Sequence, residues 1–414
     1  MFKRLSSLKY IVPTGAVVLF GTPSLLIAAD SKQILENNKE EQEQKLHNHK
    51  LIRHNKQEYI KANEIIREIK PLGDNFHTPA NPIVLCHGIS GFDRLVLLPS
   101  IYQIIKFIRN MGTLITDDEE MMKNVYTDDD NIKALLEIDY WIGVKNILER
   151  NGCKVLTARV PAFGSIEERA NILNHFIQHK VSLHKSKESG KQQDDELMKV
   201  NIIAHSMGGL DARYLISEIP QEQKKNYQVC SLTTVSTPHR GSEMADFIVQ
   251  LAKDLENQVT FTSKANADEN DGDKEGGLYN NTSKDTTNIT SARRLLPKPI
   301  YELTTKHMHD FNERVLDDDK VGYFSYGSYF IPKWHNTFYL SWKIIEKLSN
   351  GKPNDGLVTL DSARWGTYMG TLPGLDHLDI INWKINLVKR DTPVTLDVLQ
   401  FYLKIADDLG RRGY

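Results

Sequence analysis

The residues whose types and spacing best suit covalent chemistry are those of the run Ala204–Gly208, which reads Ala-His-Ser-Met-Gly. The apolar residues before this run predict a buried strand, and the pattern after it predicts an amphipathic helix. A serine on such a strand-to-helix turn is strained and lifts its hydroxyl above the sheet, provided that the residues two before and two after it are small. Ala204 and Gly208 meet that condition, so Ser206 is predicted to be a nucleophile. An idle serine in an ordinary turn is the alternative.

A serine hydroxyl becomes a good nucleophile only when a histidine takes its proton and a carboxylate orients that histidine. After a nucleophile of this kind, the acid is expected before the histidine in the chain. Asp355, in the turn Asn354–Val358, and His377, in the run Leu375–Asp379, follow Ser206 in that order. Other histidines and acids are less favourable by position or by surroundings: His239, His307, His309, His335, Asp211, Asp376 and Asp379.

An attacked carbonyl also needs two N–H donors for its developing negative charge, each contributing roughly 2.7–4 kcal/mol to the transition state. One donor is expected from the residue after the nucleophile, which is Met207. The other usually follows an early strand, and here the apolar run Ile83–Cys86 leads into His-Gly-Ile-Ser-Gly. Ile89 N–H is therefore the second predicted donor, although a plain glycine turn would look the same.

The elements that must position these groups alternate along the chain. Four apolar runs predict buried strands at about 83–86, 155–160, 200–203 and 231–236, with helical patterns between and after them. Such alternation favours an α/β fold, with a mostly parallel sheet covered by helices on both faces. Ser165 and Glu168 have the spacing of a capping box, which predicts the start of a helix running to about Lys180.

The chain is predicted to have three parts, spanning residues 1–29, 30–75 and 76–414. Residues 1–29 hold basic but no acidic residues and an apolar run long enough to span a bilayer. A mitochondrial targeting segment, a secretory signal and an uncleaved membrane anchor all remain open, and the mitochondrion is our prediction. Residues 30–75 predict a charged helical linker. Residues 76–414 predict the catalytic domain, with inserts near 94–139 and 262–290.

Composition excludes some other functions. The 52 basic and 54 acidic residues give a net charge of −2, so no nucleic-acid partner is predicted. Cys86, Cys153 and Cys230 are odd in number and lack metal-ligand spacing, which argues against a disulfide framework. Cys86 and Cys153 stand in apolar runs and are predicted to be buried.

Six segments resemble, in this order, the triacylglycerol lipases of the Pseudomonas and Burkholderia type and their yeast mitochondrial relative. The resemblance implies an α/β-hydrolase fold with a lid insertion beginning near residue 244. It also implies Ser206 as nucleophile, Asp355 and His377 as its partners, and Ile89 and Met207 as oxyanion donors. The expected partners are a lipid ester substrate and a membrane or lipid-droplet surface. The segments are Pro82–Asp93, Tyr140–Gly143, Ala204–Gly209, Ser236–Ser242, Asn354–Val358 and His377–Asp379.

Two features depart from that family. Ala204 stands where the elbow usually has glycine. The bacterial lipases carry a structural calcium, for which Asp379 matches one ligand. No aspartate lies between Lys320 and Asp355 to match the other. The prediction is therefore an enzyme without a cofactor.

Two further hypotheses stay open. The same triad could serve a phospholipase, an acyltransferase or a thioesterase, because the sequence does not show head-group contacts. The chain could also be a non-catalytic hydrolase-like scaffold that binds a membrane partner through residues 30–70.

In the expected lid, four apolar residues recur at helical spacing: Met244, Phe247, Ile248 and Leu251. They either face an acyl chain or cover the core.

Overall fold

The computed structural model describes residues 61–89, 140–187, 197–254, 296–383 and 396–414. The predicted segment 1–29, most of the predicted linker and both predicted inserts, 94–139 and 262–290, lie outside these ranges. Among the described residues, no helix has the length and apolar character needed to cross a membrane.

A parallel sheet in the order β2-β1-β3-β4-β5-β6 forms the centre of the fold. This confirms the predicted α/β class and all four predicted strands, the second of which is shorter than expected. The two strands at one end of the sheet, β5 and β6, were not predicted. The strands are β1 (Ile83–Cys86), β2 (Val155–Thr157), β3 (Met198–His205), β4 (Tyr227–Val235), β5 (Gly322–Tyr329) and β6 (Thr367–Pro373).

Helices cover both faces of this sheet, as expected. Side chains alternate along a strand, so Ile83 and Leu85 enter one apolar core while Val84 and Cys86 enter the other. The helices are α1 (Val144–Arg150), α2 (Ile166–Lys187), α3 (Gly208–Ser217), α4 (Gln221–Lys224), α5 (243–254), α6 (Lys298–Glu302), α7 (Thr305–Arg314), α8 (Tyr339–Leu348), α9 (Leu360–Ala363) and α10 (Val398–Arg411). Helices α1 and α10 contribute to the first core, and α2 and α3 to the second.

The strand order places a crevice between β1 and β3. The chain leaves β1 for β2 on one side of it and then returns to β3 on the other side. At such a reversal the two connections diverge, which opens a site beyond the carboxyl ends of the strands. Gly88 follows β1 and Ser206 follows β3, so both lie at this edge.

The predicted capping box is present at the start of α2. The backbone N–H of Ser165 donates to Glu168 Oε2 at 2.7 Å, and the N–H of Glu168 donates to Ser165 Oγ at 3.2 Å. Each side chain thus satisfies a backbone donor that the helix leaves open.

The predicted linker helix is wrong over its described part. Residues 61–75 contain only the 3₁₀ turns Ala62–Glu64 and Gly73–Asn75. Between them, Ile65 pairs with Thr371 at the edge of β6, and Ile66 N–H donates to the Thr371 carbonyl at 2.9 Å. The segment therefore satisfies its backbone groups on the sheet edge rather than within a helix, an arrangement that local sequence does not reveal.

Candidate active site

Ser206 occupies a strained turn between β3 and α3. Its φ is +56°, a left-handed conformation that is uncommon for a residue with a side chain. Its N–H donates to the Val235 carbonyl at 3.1 Å, which fixes the turn to the end of β4. A Cβ on Gly208 would lie 2.6 Å from the His87 carbonyl oxygen, so this position must be glycine. The close approach of the turn to β1 explains the small-residue spacing found in the sequence.

The structure brings Ser206, His377 and Asp355 into one hydrogen-bonded line. His377 Nε2 lies 2.9 Å from Ser206 Oγ, and His377 Nδ1 lies 2.8 Å from Asp355 Oδ2. All three side chains are buried. Within the described residues, no other histidine hydrogen-bonds the Ser206 hydroxyl, and His239 instead stacks on Trp365.

Asp355 is held by its own loop in the orientation that the histidine requires. Its Oδ1 accepts the N–H groups of Leu357 at 3.0 Å and Val358 at 2.8 Å. The Asp355 carbonyl accepts the His377 N–H at 2.9 Å, which ties the two loops together. One carboxylate oxygen is therefore committed to the backbone, and the other faces the imidazole.

The predicted oxyanion donors lie on the two turns that flank Ser206. Gly88 is so close to it that an added Cβ would lie 2.7 Å from Ser206 Cβ. The Gly88 N–H donates to Tyr140 Oη at 3.0 Å. In contrast, the N–H groups of Ile89 and Met207 donate to no acceptor within the described part of the chain. Ile89 and Met207 stay the predicted oxyanion donors.

Two known proteins with similar sequences are named triacylglycerol lipases. Triacylglycerol lipase 2 of Saccharomyces cerevisiae is 44% identical over 368 residues, which cover 86% of this chain and 98% of that protein. The chain belongs to the triacylglycerol lipase family. The triacylglycerol lipase of Vibrio cholerae is 25% identical over 303 residues, covering 68% of this chain and 84% of that one.

Two other comparisons match this lipase to a family model and to a solved structure. A family model described as the PGAP1-like alpha/beta domain matches residues 158–292. The crystal structure of Staphylococcus hyicus lipase covers 81% of this chain and 97% of its own, with 20% identity and a TM-score of 0.48.

Arg169 of the lipase holds the turn formed by His87 and Gly88. Its guanidinium donates to the carbonyls of His87 at 2.8 Å and Gly88 at 3.2 Å. It also pairs with Asp211, whose Oδ2 accepts its Nε–H at 2.9 Å, and both side chains are buried. Burial raises the pKa of Asp211 to about 6, and the hydrogen bonds and charge of Arg169 oppose that shift. Arg169 is thus the basic partner of Asp211, while Arg213 stacks on Trp365.

Tyr140 and His205 connect the turn at Gly88 to the ring of His377 in this lipase. Tyr140 Oη accepts the Gly88 N–H and lies 2.6 Å from His205 Nδ1. The His205 ring packs against that of His377, with centroids 4.6 Å apart. Burial lowers the pKa of His205 well below its usual range, and the nearby His377 adds to this effect. A neutral His205 can therefore accept a hydrogen bond from the Tyr140 hydroxyl at Nδ1. Sequence analysis missed both roles, although each residue lies within a recognised segment, Tyr140–Gly143 or Ala204–Gly209.

The Tyr140→Phe variant should lower kcat for a soluble ester by about tenfold to a hundredfold. The change leaves the Gly88 N–H without its acceptor, which costs roughly 1–3 kcal/mol in folding stability and loosens the turn that carries the Ile89 N–H. Because Tyr140 positions the turn, KM should change little. Steady-state kinetics and a melting curve test this, and an unchanged kcat in a folded variant would contradict it.

His87 is fixed in one neutral tautomer beneath the same turn. Its Nδ1–H donates to the Gly88 carbonyl at 2.9 Å, and its Nε2 accepts the Val160 N–H at 3.2 Å. Burial, with the nearby Arg169 charge, lowers the pKa of His87 to about 3. A proton on Nε2 would oppose the Val160 N–H, so protonation is incompatible with this contact.

The pKa of His87 predicts an acid-dependent loss of stability. In the unfolded chain the pKa is about 6.5, so below that pH the unfolded chain binds a proton that the folded lipase does not. The contribution of His87 to the free energy of unfolding is fully present above about pH 6.5. It is lost as the pH falls toward the folded pKa, by about 1.4 kcal/mol for each pH unit. Urea unfolding at pH 7, 6 and 5 should show a steeper loss in wild type than in His87→Gln. Equal slopes would refute the prediction.

Within the described residues, the calcium site that the resemblance implies finds no matching donor set. Asp379 Oδ2 instead accepts the N–H of Asp376 at 3.1 Å, closing the turn that carries His377. Among the described residues, no three His, Cys, Asp or Glu side chains are grouped so that they could hold a metal ion. The described residues therefore do not fit the bacterial calcium site.

Proposed function

We propose that this lipase hydrolyses the carboxylic ester bonds of triacylglycerols through an acyl-enzyme formed on Ser206. The single observation that carries the proposal is the line from Ser206 Oγ through the His377 ring to Asp355 Oδ2, with hydrogen bonds of 2.9 and 2.8 Å. Membership of the triacylglycerol lipase family supports the substrate class.

In the first half of the proposed reaction, His377 Nε2 takes the Ser206 proton while Oγ attacks the ester carbonyl. The carbonyl oxygen becomes an oxyanion that accepts hydrogen bonds from Ile89 and Met207 N–H. The start of α3, which follows Met207, adds the positive end of a helix dipole. The C–O bond to the glyceride then breaks, and His377 gives its proton to the leaving alcohol.

In the second half, water replaces the alcohol. His377 takes a proton from this water, which attacks the acyl carbonyl and passes through the same oxyanion site. Breaking the acyl–Oγ bond releases the fatty acid and returns the proton to Ser206. The Asp355 carboxylate stabilises the imidazolium that forms in each half. The proposed reaction requires no cofactor.

The surroundings of the substrate are part of the proposal. We propose that the lipase works at a membrane or lipid-droplet surface, and that residues 1–29 direct the chain to the mitochondrion. The basic, acid-free start and the apolar run that follows support this targeting. Helix α5 buries Met244 and half-buries Phe247, Ile248 and Leu251, so its apolar residues cover the core at least in part. Residues 255–295, which belong to the expected lid, lie outside the described residues.

A substrate panel on the full-length chain tests the proposal. Emulsified triacylglycerols, phospholipid vesicles, acyl thioesters and soluble short-chain esters would be compared at equal enzyme concentration. Triacylglycerol should be hydrolysed faster than phospholipid or thioester. Soluble esters should also be cleaved, because the triad acts on the ester carbonyl. Preference for phospholipid would replace the proposed substrate class, and no turnover of any ester would refute the function.

A further inference from the structure

Exposed apolar side chains are concentrated on one short segment, residues 331–348. Of the seven large apolar side chains that are exposed in the described part of the chain, four lie there. Trp334 is 78% exposed and Ile331 73%, values unusual for such side chains in a soluble monomer. The other two are Leu340 and Leu348. We call this set of four residues the apolar patch.

The apolar patch belongs to a loop-and-helix segment, the excursion 330–354. This segment begins and ends at the edge of the sheet that holds Ser206. The chain leaves β5 at Phe330 and returns at Asn354, whose carbonyl accepts the Phe330 N–H at 3.3 Å. The next residue is Asp355 of the triad. In addition, Phe338 packs on Gly356, since a Cβ there would lie 2.5 Å from Phe338 Cβ. The patch is thus attached directly to the loop that carries the catalytic acid.

Within the described structure, backbone hydrogen bonds and a helix hold the excursion in place. Asn336 N–H donates to the Lys333 carbonyl at 2.9 Å, and Tyr339 N–H donates to the Asn336 carbonyl at 3.0 Å. Helix α8 follows and buries Trp342 and Ile345 against the core. Its opposite side carries Leu340, Lys343, Lys347 and Leu348, which the helical repeat places on one face.

The charge of this segment points to the kind of surface it meets. Residues 330–348 contain three lysines and one glutamate, a net charge of +2 on a chain whose net charge is −2. Tryptophan with aliphatic residues and lysines is the combination that seats proteins at the boundary between lipid head groups and acyl chains. Lysines near that boundary are attracted to anionic lipids.

We propose that the apolar patch is the surface by which the lipase seats itself on an anionic lipid interface, with Trp334 and Ile331 entering the acyl region. This inference rests on the proposed function for the substrate's location. The excursion leaves the sheet at the edge that holds Ser206, so seating it brings the triad near the esters of the lipid phase. The patch thereby determines which end of the molecule faces the lipid.

The full-length lipase would be mixed with phosphatidylcholine vesicles that contain phosphatidylserine and acyl chains brominated near their carboxyl ends. Bromine should quench part of the tryptophan emission, and that part should be absent in Trp334→Phe. The double variant Ile331→Ser/Trp334→Ser should bind the vesicles at least about tenfold more weakly, since each side chain loses apolar burial. Vesicles without phosphatidylserine should bind wild type less tightly.

Leu316→Ser is the matched control. Leu316 is 64% exposed and precedes β5, so it lies at the amino end of the sheet, away from Ser206. This variant should bind vesicles like wild type, and all variants should cleave a soluble short-chain ester at the wild-type rate. Absence of quenching, equal weakening by Leu316→Ser, or loss of a dimer in the double variant by light scattering would overturn the proposal. Vesicle binding without any ester turnover would refute the proposed function but leave the lipid surface intact.

Discussion

Replacing Ser206 by alanine should lower kcat for a soluble ester by about 10⁶-fold, the scale of loss found when a serine nucleophile is removed from a triad. The Ser206 hydroxyl is the only part of the site that forms a bond to the acyl group in the proposed reaction. Alanine should fold well, because it removes one oxygen from a turn that Gly208 and the Val235 carbonyl already hold. Burst-phase kinetics with a chromogenic ester measure both the acylation and the steady rate.

Ser217→Ala provides the control for this substitution. Ser217 is the last residue of α3, the helix that Ser206 precedes, and its side chain bonds only Glu218 in the described structure. Its activity should match wild type. Turnover by Ser206→Ala at even a hundredth of the wild-type rate would be incompatible with an acyl-enzyme on this residue.

Replacing Asp355 by asparagine should lower kcat by about 10⁴-fold while leaving the fold intact. Asp355 Oδ1 accepts two backbone N–H groups, so the amide oxygen of asparagine must occupy that side. The amide NH₂ then faces His377 Nδ1 and makes this nitrogen an acceptor. The proton moves to Nε2, which can no longer accept the Ser206 proton.

The neighbouring Asp376→Asn variant separates this tautomer effect from a general loss of negative charge. Asp376 Oδ1 accepts the N–H groups of Leu378 and Asp379, and an asparagine oxygen can do the same. Its kcat should remain within a few-fold of wild type. If both variants lost activity equally, Asp355 would not be the residue that orients His377.

The triad could be predicted because its signals are local. A strand-turn-helix serine requires small neighbours, and those neighbours can be counted in the sequence. Asp355 and His377 stand in loops whose chain order is set by the fold. Their hydrogen bonds join residues 22 and 171 positions apart, so the sequence predicts which residues meet but not the distances between them.

The strands at the far end of the sheet were harder to predict. β5 reads Gly-Tyr-Phe-Ser-Tyr-Gly-Ser-Tyr and β6 reads Thr-Tyr-Met-Gly-Thr-Leu-Pro. Neither contains the aliphatic run that indicates a buried parallel strand. Gly327 lies where a Cβ would come within 2.8 Å of Leu360, so part of this composition reflects close packing rather than a turn.

The side-chain contacts that hold the turn at His87 and Gly88 could not be predicted for a different reason. Arg169 reaches the His87 carbonyl over 82 positions, and Tyr140 reaches Gly88 over 52. Single side chains at such separations leave no periodic pattern. The one available signal was that Tyr140 begins a segment shared with the lipase family, and that signal gave no role. Pairing of residues 65–66 with the β6 edge is likewise a tertiary contact, which overrides the helical pattern of the linker.

The most direct test of the proposed site is the structure of the lipase inhibited by an ethyl p-nitrophenyl alkylphosphonate, a diester that loses p-nitrophenolate when Ser206 attacks and whose phosphorus then imitates the tetrahedral carbon of ester hydrolysis. We predict a covalent bond from phosphorus to Ser206 Oγ. We also predict a phosphonyl oxygen about 2.7–3.1 Å from the backbone nitrogens of Ile89 and Met207, with His377 Nε2 beside the remaining ester oxygen. An adduct on another residue, or a phosphonyl oxygen that contacts neither nitrogen, would contradict the proposed site.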